Sequence, residues 1–318
     1  MTIQSRASSF LSSSSFSFSR NAKQITTPSA HVYSFLVKRS SSSSSSHPVT
    51  PIKHNFALIG PPGSGKGTYG KLLSSRLTKL FSDKNNSVVV PLITCSDILK
   101  EHVVNQTNIG IEIQDCKKHG RLANDELVGR AVLTHLIDHH NYDENKEDGN
   151  QIENMTSSSL PVGYILDGFP RTVPQAKMMD YNKTSSWPSS LAITYAISID
   201  VPDKICIDKI RGRRVCTLCH HSFNVTNVDY DGYYMPPTLP SSSCDEHPDC
   251  DRDTNWICRH DDVDEDIVAR RIEDFHKETK DVVEHYESRG RVIHFVPYRG
   301  VDDMDLLENL VLEKLGLL

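Results

Sequence analysis

A glycine-rich loop near residue 60 constrains the fold of this chain more than any other feature. The apolar run Phe56-Ala57-Leu58-Ile59 leads into Gly60-Pro61-Pro62-Gly63-Ser64-Gly65-Lys66-Gly67-Thr68, and helical periodicity follows. In such an arrangement a buried strand enters a tight loop whose backbone N–H groups converge on phosphate oxygens at a helix N-terminus. The alternative is a glycine-rich turn that binds nothing. The order strand, loop, helix, with a lysine at the end of the loop, favours a phosphate-binding loop.

Apolar runs alternate with helical periodicity along the rest of the chain. The pattern predicts further strands at 88–93, 162–166, 191–199 and 292–296, three helices up to about residue 137, and helices around 267–282 and 306–311. Strands separated by helices pair in parallel, with the helices forming right-handed crossovers. We therefore expect an α/β fold in which helices flank a parallel sheet.

The first 54 residues differ in composition from the rest of the chain. They contain no Asp or Glu, about a third of them are Ser, and six basic residues are spread through them. A basic, serine-rich segment without acids is typical of an organelle transit peptide, and the alternative is a low-complexity disordered tail. We expect this leader, residues 1–54, to direct the chain to the mitochondrial matrix, with the chloroplast stroma as the alternative.

The remainder of the chain is acidic. The formal net charge is −6 and the leader carries +6, so residues 55–318 carry −12. This balance argues against a nucleic-acid partner held by a general basic face. No run of 18 apolar residues exists, so a membrane-spanning helix is not expected. Residues 138–159 are rich in Asp, Glu, Asn and Ser and are predicted to be an acidic surface insertion.

Five of the eight cysteines lie between residues 216 and 258, in a segment with little helical periodicity. Cys216-x2-Cys219 and Cys244-x5-Cys250 could supply four tetrahedral ligands to a structural Zn²⁺, or His247 could replace Cys250. The alternative is a knuckle held by packing, with spare thiols. We expect residues 212–262 to form a small separate subdomain.

Three motifs together resemble the adenylate kinase family. They are the loop Gly60–Thr68, the segment Asp167-Gly168-Phe169-Pro170-Arg171-Thr172, and Gly212-Arg213-Arg214, and they occur in the family's order. The resemblance covers most of residues 55–317. It implies a P-loop NTPase-type core over 55–318, a helical arm at about 94–124 that binds the nucleoside monophosphate, and a mobile lid at about 212–262 of the family's long-lid type.

The resemblance also implies an activity and its substrates. The reaction is the reversible, Mg²⁺-dependent transfer ATP + AMP = 2 ADP, in a protein expected to be a monomer with ATP and AMP or ADP as its partners. GTP as donor or another monophosphate as acceptor is one alternative. A non-catalytic nucleotide-binding protein is the other.

Individual residues take roles through the same resemblance. Lys66 neutralises the transferred phosphate, and Asp167 orients waters on Mg²⁺. Gln175 recognises the adenine edge of the acceptor nucleotide, which lies against the segment that begins at Gly168. Arginines suit this chemistry because a guanidinium stays ionised and bridges phosphate oxygens. The transfer-site arginines are Arg171, Arg213, Arg259 and one of a pair: counting from Arg259 favours Arg270, and anchoring on Ile272 favours Arg271.

Three residues depart from the family pattern. Cys95 stands where the acceptor arm usually has Thr, and Lys100 stands where it usually has the Arg that holds the acceptor phosphate. Lys209 replaces the Arg that stacks on the donor base in the long-lid type. These departures bear on nucleotide preference and on catalytic efficiency.

Overall fold

The computed structural model describes residues 54–82, 88–119, 121–139, 162–180, 187–218, 220–240 and 255–318. The leader before His54 and the acidic insertion beyond His139 lie outside the described residues, so both stay predictions. In the part of the chain that is described, no helix is long and apolar enough to cross a membrane.

The strands of the described residues belong to one large sheet and two small ones. In chain order they are β1 (His54–Ile59), β2 (Leu92–Thr94), β3 (Val162–Asp167), β4 (Tyr195–Ile199), β5 (Arg213–Cys216), β6 (Ser222–Asn224), β7 (Val228–Tyr230), β8 (Tyr233–Met235), β9 (Trp256–Ile257) and β10 (Val292–Phe295).

The helices lie mainly between strands of the large sheet. In chain order they are α1 (Lys66–Phe81), α2 (Cys95–Val104), α3 (Asn108–Lys118), α4 (Asp125–His139), α5 (Val173–Met178), α6 (Asp203–Arg211), α7 (His260–Val263), α8 (Glu265–Asp274), α9 (Lys280–Glu287) and α10 (Met304–Lys314). A π-helical turn, Phe275–Thr279, joins α8 to α9. Short 3-10 turns at Ser189–Leu191 and Gly300–Asp303 precede β4 and α10.

The large sheet confirms the predicted α/β fold. Its five strands run in the order β10-β4-β1-β3-β2, and every pairing is parallel. Phe56 and Leu58 of β1 pack into one hydrophobic cluster, whereas Ala57 and Ile59 pack into another. Because successive strand residues point to opposite faces, both faces of the sheet are covered, as parallel sheets require.

Two predicted strands are wrong in extent. The second strand begins at Leu92, because the backbone of Val90 bonds instead to helix α1: its N–H donates to Thr78 Oγ1 (2.9 Å) and its carbonyl accepts from Ser74 Oγ (2.6 Å). The strand predicted at 191–199 begins at Tyr195, since the carbonyl of Ala192 is taken by the Asn55 side chain (2.9 Å).

The strands of the cysteine-rich segment do not join the large sheet, but the segment is not fully separate, because Val228 and Met235 pack into one of the core clusters of that sheet. Strands β6, β5 and β9 form a three-stranded antiparallel sheet, and β7 and β8 form an antiparallel pair. We call this part, within residues 212–262, the lid. It begins directly after α6, a helix that the sequence analysis did not predict.

Candidate functional site

The phosphate loop connects β1 to α1 in a conformation that requires glycine. Gly63 and Gly65 have φ angles of +88° and +92°, in the left-handed region. A Cβ on Gly63 would lie 2.2 Å from the carbonyl oxygen of Cys206, and one on Gly65 would lie 2.7 Å from the ring of Tyr69. The loop is therefore held tightly curled against α6 and the first turn of α1.

The curled loop surrounds a position suited to an anion. Lys66 Nζ donates to the carbonyl oxygens of Gly60 (2.7 Å) and Pro61 (3.0 Å), so the ammonium lies across the mouth of the loop. The Ser64 hydroxyl is buried without a hydrogen-bond partner among the described residues. A phosphate could satisfy this hydroxyl and the N-terminus of the 16-residue helix α1, where Gly67 and Thr68 lie.

Charged residues from distant parts of the chain surround Lys66. Burial lowers the pKa of Lys66 to about 8, the Asp167 carboxylate opposes this change, and Arg171 and Arg213 reinforce it. Burial also raises the pKa of Asp167, against the charges of Lys66 and Arg171. Asp167 reaches this position because β3 pairs in parallel with β1, so that Asp167 lies beside Leu58 just before the loop.

The oxygen atoms beside the loop fit Mg²⁺. The Asp167 carboxylate lies near Gly67, with Oδ2 3.7 Å from the position that a Cβ would take there. Thr68, exposed at the start of α1, adds a hydroxyl. Carboxylate, hydroxyl and water oxygens are the ligands that Mg²⁺ prefers, usually together with substrate phosphates.

The segment Gly168–Gln175 forms a hydrogen-bonded unit at the end of β3. Arg171 donates through Nε to the Gly168 carbonyl (3.0 Å), and its backbone N–H donates to Gln175 Oε1 (2.7 Å). Gln175 is buried, and its Nε2 donates to Asp125 Oδ1 (2.7 Å). Asp125, at the start of α4, thus fixes the Gln175 amide, which retains a second N–H and a second lone pair for a base edge. Asp125 was not among the residues predicted from the sequence.

Cys95 and Lys100 lie on α2 in different environments. Cys95 is buried, and burial raises the pKa of its thiol to about 11. Its Cβ lies 3.8 Å from the position that a Cβ on Gly168 would take. Lys100 is exposed, and its Nζ lies 2.8 Å from Asp97 Oδ1. Cys95 is therefore a neutral thiol next to the Gly168 segment, whereas the Lys100 ammonium is paired one turn back on its own helix.

A buried carboxylate connects an arginine of the lid to an arginine of α8. The side chain of Asp262 is 1% exposed. Its Oδ2 lies 3.1 Å from Arg213 Nε in an ion pair, and its Oδ1 accepts a hydrogen bond from Arg271 Nη1 (3.0 Å). Arg270 and Arg259 are exposed, and Arg259 contributes to lowering the pKa of Arg213, for which burial is the main cause. Asp262 was not among the residues predicted from the sequence. It lies three residues after Arg259, directly after the exposed Asp261.

A second cleft opens beside the phosphate loop. Lys209 is half-buried in it, and its Nζ lies 3.5 Å from the Met235 carbonyl oxygen. Burial lowers the pKa of Lys209. The walls come from the loop, α6, the lid and the turn before α10, and include Gly65, Thr68, Asn224, Met235, Thr238 and Val301. Only the loop residues and Lys209 were predicted from the sequence.

The predicted zinc ligands lie largely outside the described residues: Cys219, Cys244, Cys250 and His247 do so, and the four-ligand site stays a prediction. Cys216 is buried at the end of β5, and its Sγ accepts a hydrogen bond from the Leu218 N–H (3.4 Å). Cys258 is exposed.

Loop, acid and arginines define a protein that binds nucleotide phosphates and transfers a phosphoryl group. Comparison with known proteins identifies the family within this class. The family model for adenylate kinase matches residues 58–291. A GTP:AMP phosphotransferase of Plasmodium falciparum is 32% identical over 251 residues, which are 79% of this chain and 92% of that protein.

Other relatives agree with that match. A probable adenylate kinase 6, chloroplastic, of Arabidopsis thaliana is 30% identical over 83% of this chain and 76% of its own length. An adenylate kinase of Caldicellulosiruptor saccharolyticus is 29% identical over 77% of this chain and 93% of its own length. The chain belongs to the adenylate kinase family. It is a nucleoside-monophosphate kinase, and this favours the enzyme over the non-catalytic alternative.

Proposed function

We propose that this chain transfers the γ-phosphoryl group of ATP to AMP, with the donor phosphates on the loop Gly60–Thr68 and the acceptor between α2 and the Gly168–Gln175 segment. One observation carries this proposal: the end of β3 brings Asp167 and Arg171, and the lid brings Arg213, close enough to Lys66 of the phosphate loop for their charges to act on its ammonium. A cluster of three cations and one carboxylate at a phosphate loop suits the transfer of a phosphoryl group between two anions.

The chemistry asks little covalent help from the protein. Two anionic nucleotides must be aligned, their charge neutralised and water excluded. In the proposal, Lys66 and the loop N–H groups hold the donor, and Arg171 holds the transferring group and the acceptor. Asp167 and Thr68 would hold Mg²⁺ together with the nucleotide, and the ion would supply neutralisation of the phosphate charge.

Arg213 of the lid acts together with a second arginine, which lies on α8. We assign that role to Arg271 rather than Arg270, because Arg271 shares the buried Asp262 carboxylate with Arg213. A shared carboxylate holds both guanidinium groups in one orientation, and their remaining N–H groups can bind phosphate oxygens. Arg259, exposed nearby, is the third arginine of this set.

A GTP donor is the second candidate, and a specific observation favours it. The relative from Plasmodium falciparum is named a GTP:AMP phosphotransferase, and Lys209 of this chain stands where the long-lid type has Arg. An ammonium stacks on a base less well than a planar guanidinium does, so selection for adenine over guanine is weakened at this wall.

A kinetic experiment tests the phosphate-loop assignment and the donor together. Lys66→Met should leave a folded protein whose turnover is reduced by at least about two orders of magnitude, because a charge on the transferring group is lost. Lys71→Met removes an exposed lysine one turn further along α1 and is the matched control. Each protein is assayed for ADP formation from AMP with ATP and with GTP. Near-normal turnover of Lys66→Met would contradict the phosphate-loop assignment. Faster turnover of the wild-type protein with GTP than with ATP would identify GTP as the donor.

We further propose that the lid holds one structural Zn²⁺ through Cys216, Cys219, Cys244 and either Cys250 or His247. The hydrogen bond from Leu218 N–H to Cys216 Sγ supports this, because such donors stabilise a thiolate ligand. Protein purified without chelators should contain one zinc that Cys216→Ser releases, with a lower lid melting temperature. Cys258→Ser is the control. If elemental analysis finds no zinc in the wild-type protein, the zinc site is refuted and the alternative, a segment held by packing with spare thiols, is supported.

A further inference from the structure

An open cleft of the described residues lies away from the phosphate loop. It has a volume of about 550 Å³ and is lined by β2, by one face of α2 and by the C-terminal turn of α4. Its walls carry Asp97, Glu101, His135 and His139, none of which takes part in the proposed transfer. The residue types in this cleft therefore require a separate explanation.

Three of these side chains converge on one point. His135 and His139 lie one turn apart on the same face of α4, and their ring centroids are 4.4 Å apart. Glu101 comes from α2, and its Oε2 lies 3.4 Å from His135 Nδ1. One ligand atom from each residue lies within 4.8 Å of the other two. Ligands of a tetrahedral Zn²⁺ at about 2.0–2.1 Å lie roughly 3.3 Å apart, so small side-chain rotations would close this set on an ion.

We propose that Glu101, His135 and His139 form a binding site for a divalent transition-metal cation of the zinc class, with the remaining position open to the cleft. Two imidazoles and one carboxylate are a donor set that Zn²⁺ accepts with a free fourth position. Mg²⁺, which prefers oxygen ligands only, would bind this set poorly. The site shares no residue with the proposed lid zinc site, whose cysteines would ligate through sulfur.

The electrostatics of the cleft support a cation rather than a simple ion pair. His135 and His139 each carry an imidazole nitrogen whose lone pair can bind a metal. Three carboxylates, on Asp97, Glu101 and Asp138, lie around the pair and favour a positive ion in the cleft.

A bound ion would connect two elements of the acceptor side. Glu101 lies on α2, which begins at Cys95, and the histidines lie on α4, whose first residue Asp125 bonds to Gln175. A single ion would therefore restrain the arm against the helix that orients the Gln175 amide. The binding itself does not depend on the identity of the donor or of the acceptor.

Equilibrium dialysis of the full chain against Zn²⁺, with excess Mg²⁺ present, tests the proposal. Wild-type protein should bind one more zinc than the lid accounts for, and His139→Gln should lose that equivalent or weaken it at least about tenfold. His119→Gln, which removes an exposed histidine just after α3, is the matched control and should bind as wild type does. Because His139 is exposed, this variant should fold normally.

Two further measurements keep the outcome decisive. Glu101→Gln should weaken the same equivalent while circular dichroism shows an unchanged fold. Co²⁺ at this site should give visible absorption bands without the near-ultraviolet thiolate band expected of the lid cysteines. Equal zinc stoichiometry and affinity in wild type, His139→Gln and Glu101→Gln would overturn the proposal, and so would displacement of the zinc by Mg²⁺. Neither result would bear on phosphoryl transfer.

Discussion

The environment of Lys66 disfavours the charged form of its side chain. Its pKa is lowered to about 8, mainly by burial, so the free protein loses this charge as the pH rises through about 8. A bound phosphate stabilises the ammonium, so binding takes up a proton wherever free Lys66 is neutral. The affinity for MgATP should therefore fall with rising pH, with a dissociation constant about tenfold higher at pH 9 than at pH 7.

Titration calorimetry at a series of pH values measures this dependence. Lys66→Arg is the control, because a guanidinium stays charged throughout the range and should remove the part of the slope that Lys66 contributes. An equal slope in the two proteins would show that Lys66 is not the group that titrates.

The acceptor arm carries the residues that depart from the family pattern. Lys100 offers a point charge where a planar fork would bridge two phosphate oxygens, and Asp97 competes for it at 2.8 Å. The Cys95 thiol is a weak hydrogen-bonding group compared with a hydroxyl. One such hydrogen bond contributes roughly 0.5–1.5 kcal/mol, or about 1.5–3 kcal/mol when one group is charged. Cys95→Thr combined with Lys100→Arg should lower the KM for AMP at least several-fold and leave the donor's KM unchanged.

Steady-state kinetics with AMP varied at saturating donor decide this prediction. Lys118→Arg, an exposed exchange of the same kind on α3, should not change either KM. If the double variant binds AMP no better, the same assay with GMP, CMP and UMP shows whether another monophosphate is the acceptor.

The predictable part of the site is the part that is local in sequence. The loop with Lys66 was predicted because strand, glycines and helix follow one another directly, and Asp167 and Arg171 share one short motif. Asp125 and Asp262 were missed for a physical reason. Asp125 orients Gln175, 50 residues away, and Asp262 pairs with Arg213, 49 residues away, so their roles exist only once the chain has folded.

At the scale of elements, the junction between the lid and α8 depends on one carboxylate. Asp262 on α7 receives Arg213 from β5 and Arg271 from α8. Asp262→Asn keeps the shape but removes the charge, and it leaves two partly buried guanidinium groups without their counter-ion. We expect this variant to lose about 1–3 kcal/mol in free energy of unfolding and to have a lower kcat, since the arginines lose their orientation.

Urea denaturation and turnover measured on the same samples check both effects. Asp261→Asn changes the neighbouring exposed carboxylate, whose side chain is 64% exposed, and should alter neither quantity appreciably. Equal stability of the two variants would mean that Asp262 does not hold Arg213 and Arg271.

The predicted helices and strands were right where the hydrophobic periodicity is strong. They were wrong where polar side chains bond to backbone groups that would otherwise pair with a neighbouring strand. The parallel pairing of β1, β3 and β4 was predicted from three apolar runs separated by helical segments, whereas their order in the sheet was not. Residues 88–90 are equally apolar, yet Ser74 and Thr78 of α1 take the backbone of Val90 out of the sheet. Helix α6 was missed because only Ile205, Cys206 and Ile210 mark its buried face within nine residues.

At the scale of the whole molecule, the charge around the phosphate loop is opposite in sign to the net charge of residues 55–318. Residues 55–318 carry −12, yet the phosphate loop is surrounded by Lys66, Arg171 and Arg213. An acidic surface repels polyanions such as nucleic acids, whereas a small cationic site within it still attracts a nucleotide at short range. This arrangement fits a kinase whose partners are small nucleotides.

The net charge of the leader is opposite in sign to that of the acidic remainder. We propose that the leader targets the chain to an organelle. A reporter fused behind residues 1–54 should enter mitochondria, whose import favours basic segments without acids, and accumulation in plastids would support the alternative. The plastid alternative has support in the relative from Arabidopsis thaliana, which is named chloroplastic. The matched control replaces the six basic residues of the leader by Gln, at Arg6, Arg20, Lys23, Lys38, Arg39 and Lys53. Import of the native fusion and cytosolic retention of the control are expected by fluorescence microscopy. A cytosolic native fusion would identify the leader as a low-complexity tail.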